Sequence, residues 1–379
     1  MRVFIFKPDG IGDFVLATGA IRLLARECGE ENLTLCVKTI LVPLARDQFP
    51  RATVLELPTA AERKVINLFV WNFFACLPLW GKLRTRRFEA AVCFRSMRNY
   101  LETFLFYSAG AKRFVACENI LLRSGRKVRA AVEGAAVRLM RPELVPYPEE
   151  RRGDTETRGR RELSPSPRLP LSASLPPPLP LEIEANRVVV EKLLGRPVAP
   201  AEVLPDLHAP VSGNADYWVC APITNLQSKV YPFARWREIF AELRPEALTK
   251  KIRLVGVKSD VPKLEELLSM LHADGFAEAE IFLPEDLAAF VRVIAGAELM
   301  VSVDTAAAHF ATALDRPTVV LFSGLHLGMF GPWRRGDRQA WLLPEIPPQE
   351  GKKPKWHTGL PPARAAAAVR AVLHAHESC

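Results

Sequence analysis

Short apolar runs alternate with longer segments of mixed polarity along the first half of the chain. Four of the apolar runs have the length and composition of strands, at residues 3–6, 33–37, 53–57 and 90–94. Two segments have the spacing of amphipathic helices, at residues 14–26 and 97–108. This alternation of strand and helix predicts a parallel sheet with helices on both faces.

The same alternation begins again near residue 218 and continues almost to the end of the chain. Strands are predicted at residues 218–221, 252–257, 279–283, 299–303 and 318–322. Helices are predicted at residues 233–243, 262–271, 286–295, 306–314 and 362–376. Because 379 residues are more than one hydrophobic core usually supports, the pattern predicts two α/β domains.

A segment rich in Arg, Ser and Pro separates the two halves. It covers residues 151–181, with the sequence RRGDTETRGRRELSPSPRLPLSASLPPPLPL, and its composition predicts a linker or a surface insertion. The chain therefore divides into an N-terminal domain, this linker, a connection that contains a helix, a C-terminal domain and a closing helix. Their predicted bounds are 1–150, 151–181, 182–210, 211–360 and 361–379.

The segment at residues 65–80, VINLFVWNFFACLPLW, is unusually apolar and has basic residues on both sides. A membrane-spanning helix needs about 20 apolar residues, so this segment is short for that role. It fits a buried core helix. It also fits partial insertion into a membrane face, with Trp71 and Trp80 at the interface and the arginines on lipid phosphates.

The net charge is concentrated in the first half of the chain. Residues 1–200 contain 32 lysines and arginines against 21 acidic residues, a balance of +11, whereas residues 201–379 contain 19 against 21. Such a basic half predicts an anionic partner: nucleic acid, an anionic membrane surface, or a phosphorylated or acidic glycolipid. No zinc-finger, recognition-helix or RNA-binding aromatic signature accompanies the charge, so no nucleic-acid partner is expected.

The cysteines and the first ten residues indicate the cellular compartment in which the protein is expected. The seven cysteines are scattered without CxxC or metal-ligand spacing, which is typical of free thiols in a reducing cytoplasm. The first ten residues, MRVFIFKPDG, lack the charged and apolar regions of a signal peptide. The expected location is therefore the cytoplasm.

The first candidate site follows the first predicted strand, at Gly10-Ile11-Gly12-Asp13. Two glycines permit a tight turn and a close approach of the backbone to a ligand. Asp13 is either a helix cap or, as a carboxylate at a strand end, a general base. The third glycine of a dinucleotide-binding loop is missing, so that interpretation is weak.

A second candidate site is the segment from Ser302 to His309, SVDTAAAH, where a strand passes into a helix. The free amides and the positive end of that helix favour an anion, and Ala306 and its neighbours leave room for a diphosphate. Asp304 is expected to cap the helix. His309, one turn into the helix, is either a core histidine or a site residue.

The third candidate site is the polar loop from Ala221 to Lys229. Thr224 supplies a hydroxyl and Lys229 an ammonium. Lys229 is either a solvated surface lysine or a cation that neutralises charge on a departing diphosphate. No acidic pair or histidine cluster suggests a catalytic metal, so no metal or other cofactor is expected.

Taken together, these segments resemble glycosyltransferase family 9, the lipopolysaccharide heptosyltransferases. The resemblance depends on segments that occur in the family's order and at suitable spacing across nearly the whole chain outside 151–181. They are Ile11-Gly12-Asp13, Lys229-Val230-Tyr231-Pro232 with Trp236, Asp304-Thr305-Ala306-Ala307-Ala308-His309, Ala313-Leu314-Asp315-Arg316-Pro317-Thr318 and Gly331-Pro332-Trp333.

The resemblance implies a GT-B fold, with two Rossmann-like domains whose parallel sheets face an interdomain cleft. It implies inverting, metal-independent transfer of heptose from ADP-heptose to a lipopolysaccharide core or a related anionic glycolipid. The enzyme would be peripheral at the inner face of a bacterial cytoplasmic membrane, with the nucleotide-sugar as a substrate rather than a cofactor.

The resemblance also implies roles for particular residues. Asp13 would be the catalytic base, and a group of donor-binding residues would hold the nucleotide-sugar: Thr224, Lys229, Asp304, Thr305, Ala306 and His309. Gly12 would lie on the acceptor side. Arg95 and Arg98, just after the strand at 90–94, are candidates for the acid or phosphate groups of the acceptor, or else are surface arginines.

The sequence departs from the family pattern at several positions. Ala306 replaces a glycine, Tyr231 replaces a tryptophan, and Ser323-Gly324 stands where Gly-Pro-Thr is common. These differences bear on the identity of the donor more than on the reaction class. Two alternatives stay open, a nucleotide- or lipid-binding protein without activity and an epimerase that acts on a soluble nucleotide-sugar.

Overall fold

The computed structural model of the chain contains two compact units, Met1–Pro205 and Asp206–Cys379. It describes residues 1–57, 77–98, 100–119, 134, 137–148, 179–210, 216–333, 336–345 and 356–377. Most of the predicted linker at 151–181 and most of the apolar segment at 65–80 lie outside these residues. Within the described ranges, no helix has both the length and the apolar character needed to cross a membrane.

The first unit is built on a six-stranded sheet in which all neighbouring strands are parallel. Its strands are β1 (Val3–Lys7), β2 (Leu33–Lys38), β3 (Thr53–Leu57), β4 (Ala90–Cys93), β5 (Arg113–Cys117) and β6 (Glu143–Val145). Helices among its described residues include α1 (Ile11–Cys28), α2 (Val42–Gln48), α3 (residues 77–84), α4 (Tyr100–Ser108) and α5 (Leu181–Leu194), and residues 137–140 are also helical. The strand order is β3-β2-β1-β4-β5-β6.

The second unit repeats this plan with a second parallel sheet of six strands. Its strands are β7 (Tyr217–Ala221), β8 (Lys251–Val255), β9 (Ala279–Phe282), β10 (Leu299–Val303), β11 (Thr318–Leu321) and β12 (Gln339–Leu342). Its helices are α6 (Phe233–Glu242), α7 (Arg244–Ala247), α8 (Val261–Ala273), α9 (Leu287–Gly296), α10 (Ala306–Ala313) and α11 (Pro362–Glu377). The strand order is β12-β11-β10-β7-β8-β9.

Burial explains why the central strands were predictable. Every residue of β1, β7 and β10 is buried, as expected for parallel strands covered on both faces. Three strands that the sequence pattern did not predict, β5, β6 and β12, contain charged or polar residues, and the last two are the outermost strands of their sheets. The predicted fold class of two Rossmann-like units with parallel sheets is confirmed.

Each sheet has one point where the strand order reverses, and such points are where open α/β sheets bind ligands. In the first unit this point lies between β1 and β4, which are neighbours in the sheet. In the second unit it lies between β7 and β10. Arg95, Lys229 and Asp304 lie in the loops that follow β4, β7 and β10, and Asp13 lies in the first turn of the helix that follows β1. These predicted site residues therefore lie at the two switch points.

Candidate functional site

Asp13 lies in the first turn of α1, directly after the loop that follows β1. Gly10, not Asp13, is the N-cap of this helix, and Asp13 Oδ2 accepts a hydrogen bond from the Gly10 amide at 3.2 Å. Asp13 is therefore not the N-cap but the third residue of α1, and through this bond it takes part in capping the helix. Gly12 precedes Asp13 in the same turn, and both residues are half-buried.

The surroundings of Asp13 hold the pKa of its carboxyl above that of an ordinary aspartate. Burial raises the pKa of its carboxyl, Lys7 opposes this rise, and Asp9 adds to it. A raised pKa brings a carboxylate nearer to the range in which general bases work. The electrostatics of Asp13 are thus compatible with the predicted catalytic role.

Lys7, the last residue of β1, is a buried cation that sequence reasoning missed. Its side chain is 1% exposed, and its Nζ donates to the Phe94 carbonyl oxygen at 2.6 Å and lies 2.7 Å from Asp9 Oδ2. Burial acts to lower the pKa of Lys7, but the nearby carboxylates outweigh burial and hold it above its ordinary value. A lysine that ends an otherwise apolar strand was the only signal in the sequence.

The two arginines predicted for the acceptor are both engaged inside the first unit. Arg95 is ion-paired with Asp9 and lies 3.1 Å from Glu102 Oε2. Arg98 is buried, and its Nη1 donates to the carbonyl oxygens of Arg95 at 2.9 Å and of Cys117 at 3.0 Å. The alternative that Arg98 is a surface arginine is therefore wrong, and an acceptor role for either residue stays a prediction.

Lys229 and Asp304 form a buried ion pair at the switch point of the second sheet. Lys229 Nζ lies 2.6 Å from Asp304 Oδ2, and it also donates to the Asp304 carbonyl oxygen at 3.3 Å. Because Lys229 is only 8% exposed, the alternative of a solvated surface lysine is wrong. The two residues meet because β7 and β10, which lead into them, are adjacent and parallel.

The start of α10 lies directly beside this ion pair. Thr305, not Asp304, is the N-cap, so the prediction of an Asp304 cap is wrong: its carboxylate is taken up by Lys229. The Thr305 hydroxyl lies 3.3 Å from the Ser302 hydroxyl and makes no capping bond to the helix. The backbone N–H groups at the start of α10, including that of Ala306, therefore receive no hydrogen bond from the Thr305 side chain.

Two further predicted donor residues lie near this pair in the sequence. Thr224 precedes Lys229 in the loop after β7, and His309 follows Asp304 within α10. The Thr224 hydroxyl accepts from the Leu226 amide at 3.2 Å, which stabilises the turn after β7. His309 Nδ1 accepts from the indole N–H of Trp333 at 3.3 Å, so the imidazole proton lies on Nε2. Burial lowers the pKa of His309 to about 4, and the ring is therefore neutral near pH 7.

The described residues contain no group of three His, Cys, Asp or Glu side chains close enough together to hold a metal ion. The candidate residues form two clusters with different chemistry, one of Lys7, Asp9 and Asp13 in the first unit and one of Lys229, Asp304 and the start of α10 in the second. The first offers a carboxylate with a raised pKa among buried charges. The second offers an ammonium, a carboxylate and helix amides, a combination suited to a diphosphate attached to a hydroxylated group.

Comparisons with known proteins agree with the family resemblance seen in the sequence motifs. The sequence model of glycosyltransferase family 9 (heptosyltransferase) matches residues 184–357. Lipopolysaccharide heptosyltransferase 1 of Escherichia coli K12 is 33% identical over 116 residues, which are 31% of this chain and 34% of that protein. The same enzyme of Salmonella typhimurium is 30% identical over 139 residues, 37% of this chain and 42% of that protein. The chain thus spans about a third of the length of the first of these relatives.

Solved structures match over the full length and show the fold. E. coli ADP-heptose lps heptosyltransferase II has a TM-score of 0.69 at 15% identity, with 100% of each chain covered. E. coli heptosyltransferase WaaC with ADP has a TM-score of 0.64 at 19% identity, with 100% of this chain and 99% of that chain covered. The predicted GT-B fold class is confirmed by these matches. Residues 184–357 are therefore similar to glycosyltransferase family 9, the heptosyltransferase family.

Proposed function

We propose that this protein is a glycosyltransferase that moves heptose from ADP-heptose to a lipopolysaccharide core or a related anionic glycolipid. The observation that carries the proposal is the buried Lys229–Asp304 pair beside the start of α10. Solved structures of similar fold contain ADP and ADP-2-deoxy-2-fluoro heptose, which supports the choice of donor.

In this proposal the second unit holds the donor. The Lys229 ammonium and the amides at Thr305 and Ala306 bind the diphosphate, because helix starts and ammonium groups both favour anions. Asp304 accepts hydrogen bonds from sugar hydroxyls while it keeps Lys229 in position. Thr224 and the neutral His309 complete the donor site as hydrogen-bonding groups.

The transfer itself is a single displacement with Asp13 as the general base. The acceptor hydroxyl gives its proton to the Asp13 carboxylate, and its oxygen forms a bond to the anomeric carbon of the sugar. The bond from that carbon to the diphosphate oxygen breaks, and ADP leaves with the electron pair. Attack opposite to the leaving group inverts the anomeric configuration, and Lys229 with the helix amides stabilises the departing charge. No metal or other cofactor takes part in the proposed step.

The first unit binds the acceptor. Residues 1–200, which make up nearly all of this unit, have a net charge of +11. This positive charge fits an anionic glycolipid at the inner face of a bacterial cytoplasmic membrane. Gly12 lets the acceptor approach the first turn of α1. The Arg95 side chain is 23% exposed and exchanges a carboxylate partner for an acid or phosphate group of the acceptor. Arg98, which is buried, supports Arg95 through the bond to its carbonyl oxygen.

The substitution Asp13→Asn tests this proposal most directly. It removes the base but preserves the shape of the side chain, so we expect kcat for sugar transfer to fall by about 100- to 10,000-fold. The affinity for ADP should stay unchanged, since the donor residues belong to the second unit. Transfer is measured with ADP-heptose and a lipid A-type acceptor, and the anomeric configuration of the product is read by NMR.

Three controls separate this proposal from its alternatives. Asp47→Asn changes an exposed aspartate of the same unit and should leave transfer intact. Assays with EDTA test the proposed independence from metal. If Asp13→Asn keeps full activity, Asp13 is a helix-capping residue and not the base. Turnover of ADP-heptose without any lipid acceptor would favour an epimerase.

A further inference from the structure

His326 is a histidine of the second unit to which the proposed mechanism gives no role. It lies in the loop that follows β11, and its φ of 75° is in the left-handed region that non-glycine residues seldom adopt. Two glycines of the same loop, Gly324 and Gly328, also have positive φ values. Strained backbone of this kind is found preferentially at binding and active sites.

The loop places His326 within electrostatic range of the Lys229–Asp304 pair. In the sheet β11 is adjacent to β10, and β10 is adjacent to β7, so the three loops leave from neighbouring strand ends. Both members of the pair act electrostatically on the imidazole: burial lowers its pKa, Lys229 lowers it further, and Asp304 opposes them. From its own loop the ring of Phe330 packs edge-on, with centroids 5.4 Å apart.

The two ring nitrogens of His326 have different surroundings. Nδ1 is enclosed and has no hydrogen-bond partner among the described residues, whereas the residue as a whole is only half-buried. We therefore take the exposed ring edge to carry Nε2. A proton on the enclosed Nδ1 would be a buried donor without an acceptor, which is costly. The stable form is then a neutral imidazole whose Nε2–H points outwards.

The Nε2–H of His326 adds a hydrogen-bond donor beside the Lys229–Asp304 ion pair. Asp304 offsets part of the Lys229 charge, so a further donor beside Lys229 is favourable as the diphosphate becomes more negative on leaving. A neutral N–H donor beside the pair stabilises that charge without a change in protonation. We infer that His326 is a further donor-site residue, whose Nε2–H donates to the diphosphate of the nucleotide-sugar. This inference rests on the proposed function, because it takes the Lys229–Asp304 pair as the donor site.

The test compares two substitutions by isothermal titration with ADP. His326→Gly removes the side chain in a conformation that glycine adopts freely, and should weaken ADP binding by about tenfold or more, the usual loss of a hydrogen bond to a charged group. His326→Gln keeps an N–H donor at the position of Nε2 and should stay within about threefold of the wild-type affinity. His208→Gln, at an exposed histidine of the same unit, serves as the matched control.

The neutral state of the ring is tested in the same titrations. Repeating them in two buffers of different ionisation enthalpy should show the same proton exchange for the wild type and His326→Gln. Proton uptake that disappears in His326→Gln would overturn the neutral donor, and wild-type affinity of His326→Gly would overturn the contact itself.

The outcomes also separate this inference from the proposed function. Heptose transfer by the wild type, together with unchanged ADP binding by His326→Gly, would overturn the inference alone. A loss of ADP binding in His326→Gly, in a protein that transfers no heptose, would leave the donor contact standing and overturn the proposed reaction. Failure of the wild type to bind ADP, GDP or UDP would overturn both.

Discussion

Lys7 is a buried cation beside the proposed general base. It lowers the pKa of Asp13 against the stronger effect of burial, and a base must be ionised to accept a proton. In Lys7→Met the pKa of Asp13 should rise, so the acidic limb of the pH profile of kcat/KM should move to higher pH. The loss of kcat/KM relative to the wild type should be largest at acidic pH and smaller at alkaline pH. Rates of sugar transfer measured across the pH range provide the check.

A second substitution distinguishes this charge effect from simple damage to the fold. Asp9 raises the pKa of Asp13, so Lys7→Met combined with Asp9→Asn removes one charge of each sign. The acidic limb of the double variant should return towards that of the wild type. If Lys7→Met has the pH midpoint of the wild type, Lys7 does not control the ionisation of Asp13. If the double variant keeps the shifted midpoint of the single variant, the shift comes from damage to the fold rather than from charge.

At the scale of single residues, the sequence identified candidates but not their partners. Lys229 and Asp304 were singled out by the residues around them, yet nothing in the pattern indicated that one neutralises the other. Their contact depends on the pairing of β7 with β10, which joins parts of the chain about 80 residues apart. Lys7 was missed for a related reason, because its buried charge is stabilised by Asp9 and Asp13, which follow β1, and by Glu182 of α5, and the pattern of apolar positions does not show these contacts.

Helix α1 shows how a single glycine fixes the position of an element. A methyl group at Gly19 would lie 2.2 Å from the Leu204 carbonyl oxygen and 2.4 Å from that of Val203. These backbone atoms belong to the 3-10 turn Pro200–Val203 and the residue after it, and they cannot move aside as a side chain can. Although alanine is the better helix former, we expect Gly19→Ala to lower the free energy of unfolding by about 1–3 kcal/mol. Urea denaturation provides the measurement.

Gly81 offers a matched control for this substitution. It lies in α3, and a methyl group there would meet no atom within 4 Å. Gly81→Ala should therefore raise stability by up to about 1 kcal/mol, the usual gain for alanine over glycine in a helix. Equal shifts of the urea midpoint in the two variants would contradict the contact between α1 and the turn.

Most elements could be predicted from hydrophobic periodicity, and the exceptions have physical reasons. Buried parallel strands such as β1 and β10 are continuous apolar runs, which are easy to recognise. In contrast, β6 has three residues and begins with a glutamate, so neither its length nor its composition marks it as a strand. The start of α1 was placed too late because its cap is Gly10, which supplies no side-chain capping bond.

At the scale of the whole molecule, the same strand order occurs twice. In each sheet the first strand of the unit lies at the centre and pairs with the second and the fourth. This arrangement brings the loops after the first and fourth strands together, which explains why the candidate residues fall into two clusters rather than being spread along the edges. The sequence predicted two such units, but the order of strands within each sheet follows from packing over long distances.

The positive balance of the first half and the exposed side of α3 lead to a prediction about membranes. Trp80 is 38% and Leu77 37% exposed, and Lys82 and Arg84 on the same short helix are exposed as well. Exposed apolar and basic side chains together favour an anionic lipid surface, since indole rings prefer the interface and cations attract lipid phosphates. We therefore expect the protein to sediment with phosphatidylglycerol vesicles but not with phosphatidylcholine vesicles. Binding should weaken as salt rises from about 0.05 M to about 0.5 M.

The contribution of Trp80 to this binding can be isolated. Trp80→Ala should reduce the affinity for anionic vesicles by about tenfold or more, the value expected when an interfacial aromatic contact is lost. Leu248→Ala, at a leucine of the near-neutral second unit with 40% exposure, controls for a general loss of apolar surface and should bind like the wild type. If both substitutions weaken binding equally, or if neutral vesicles bind as well as anionic ones, the basic half does not provide the membrane contact. The charge of residues 1–200 would then act on the acceptor alone.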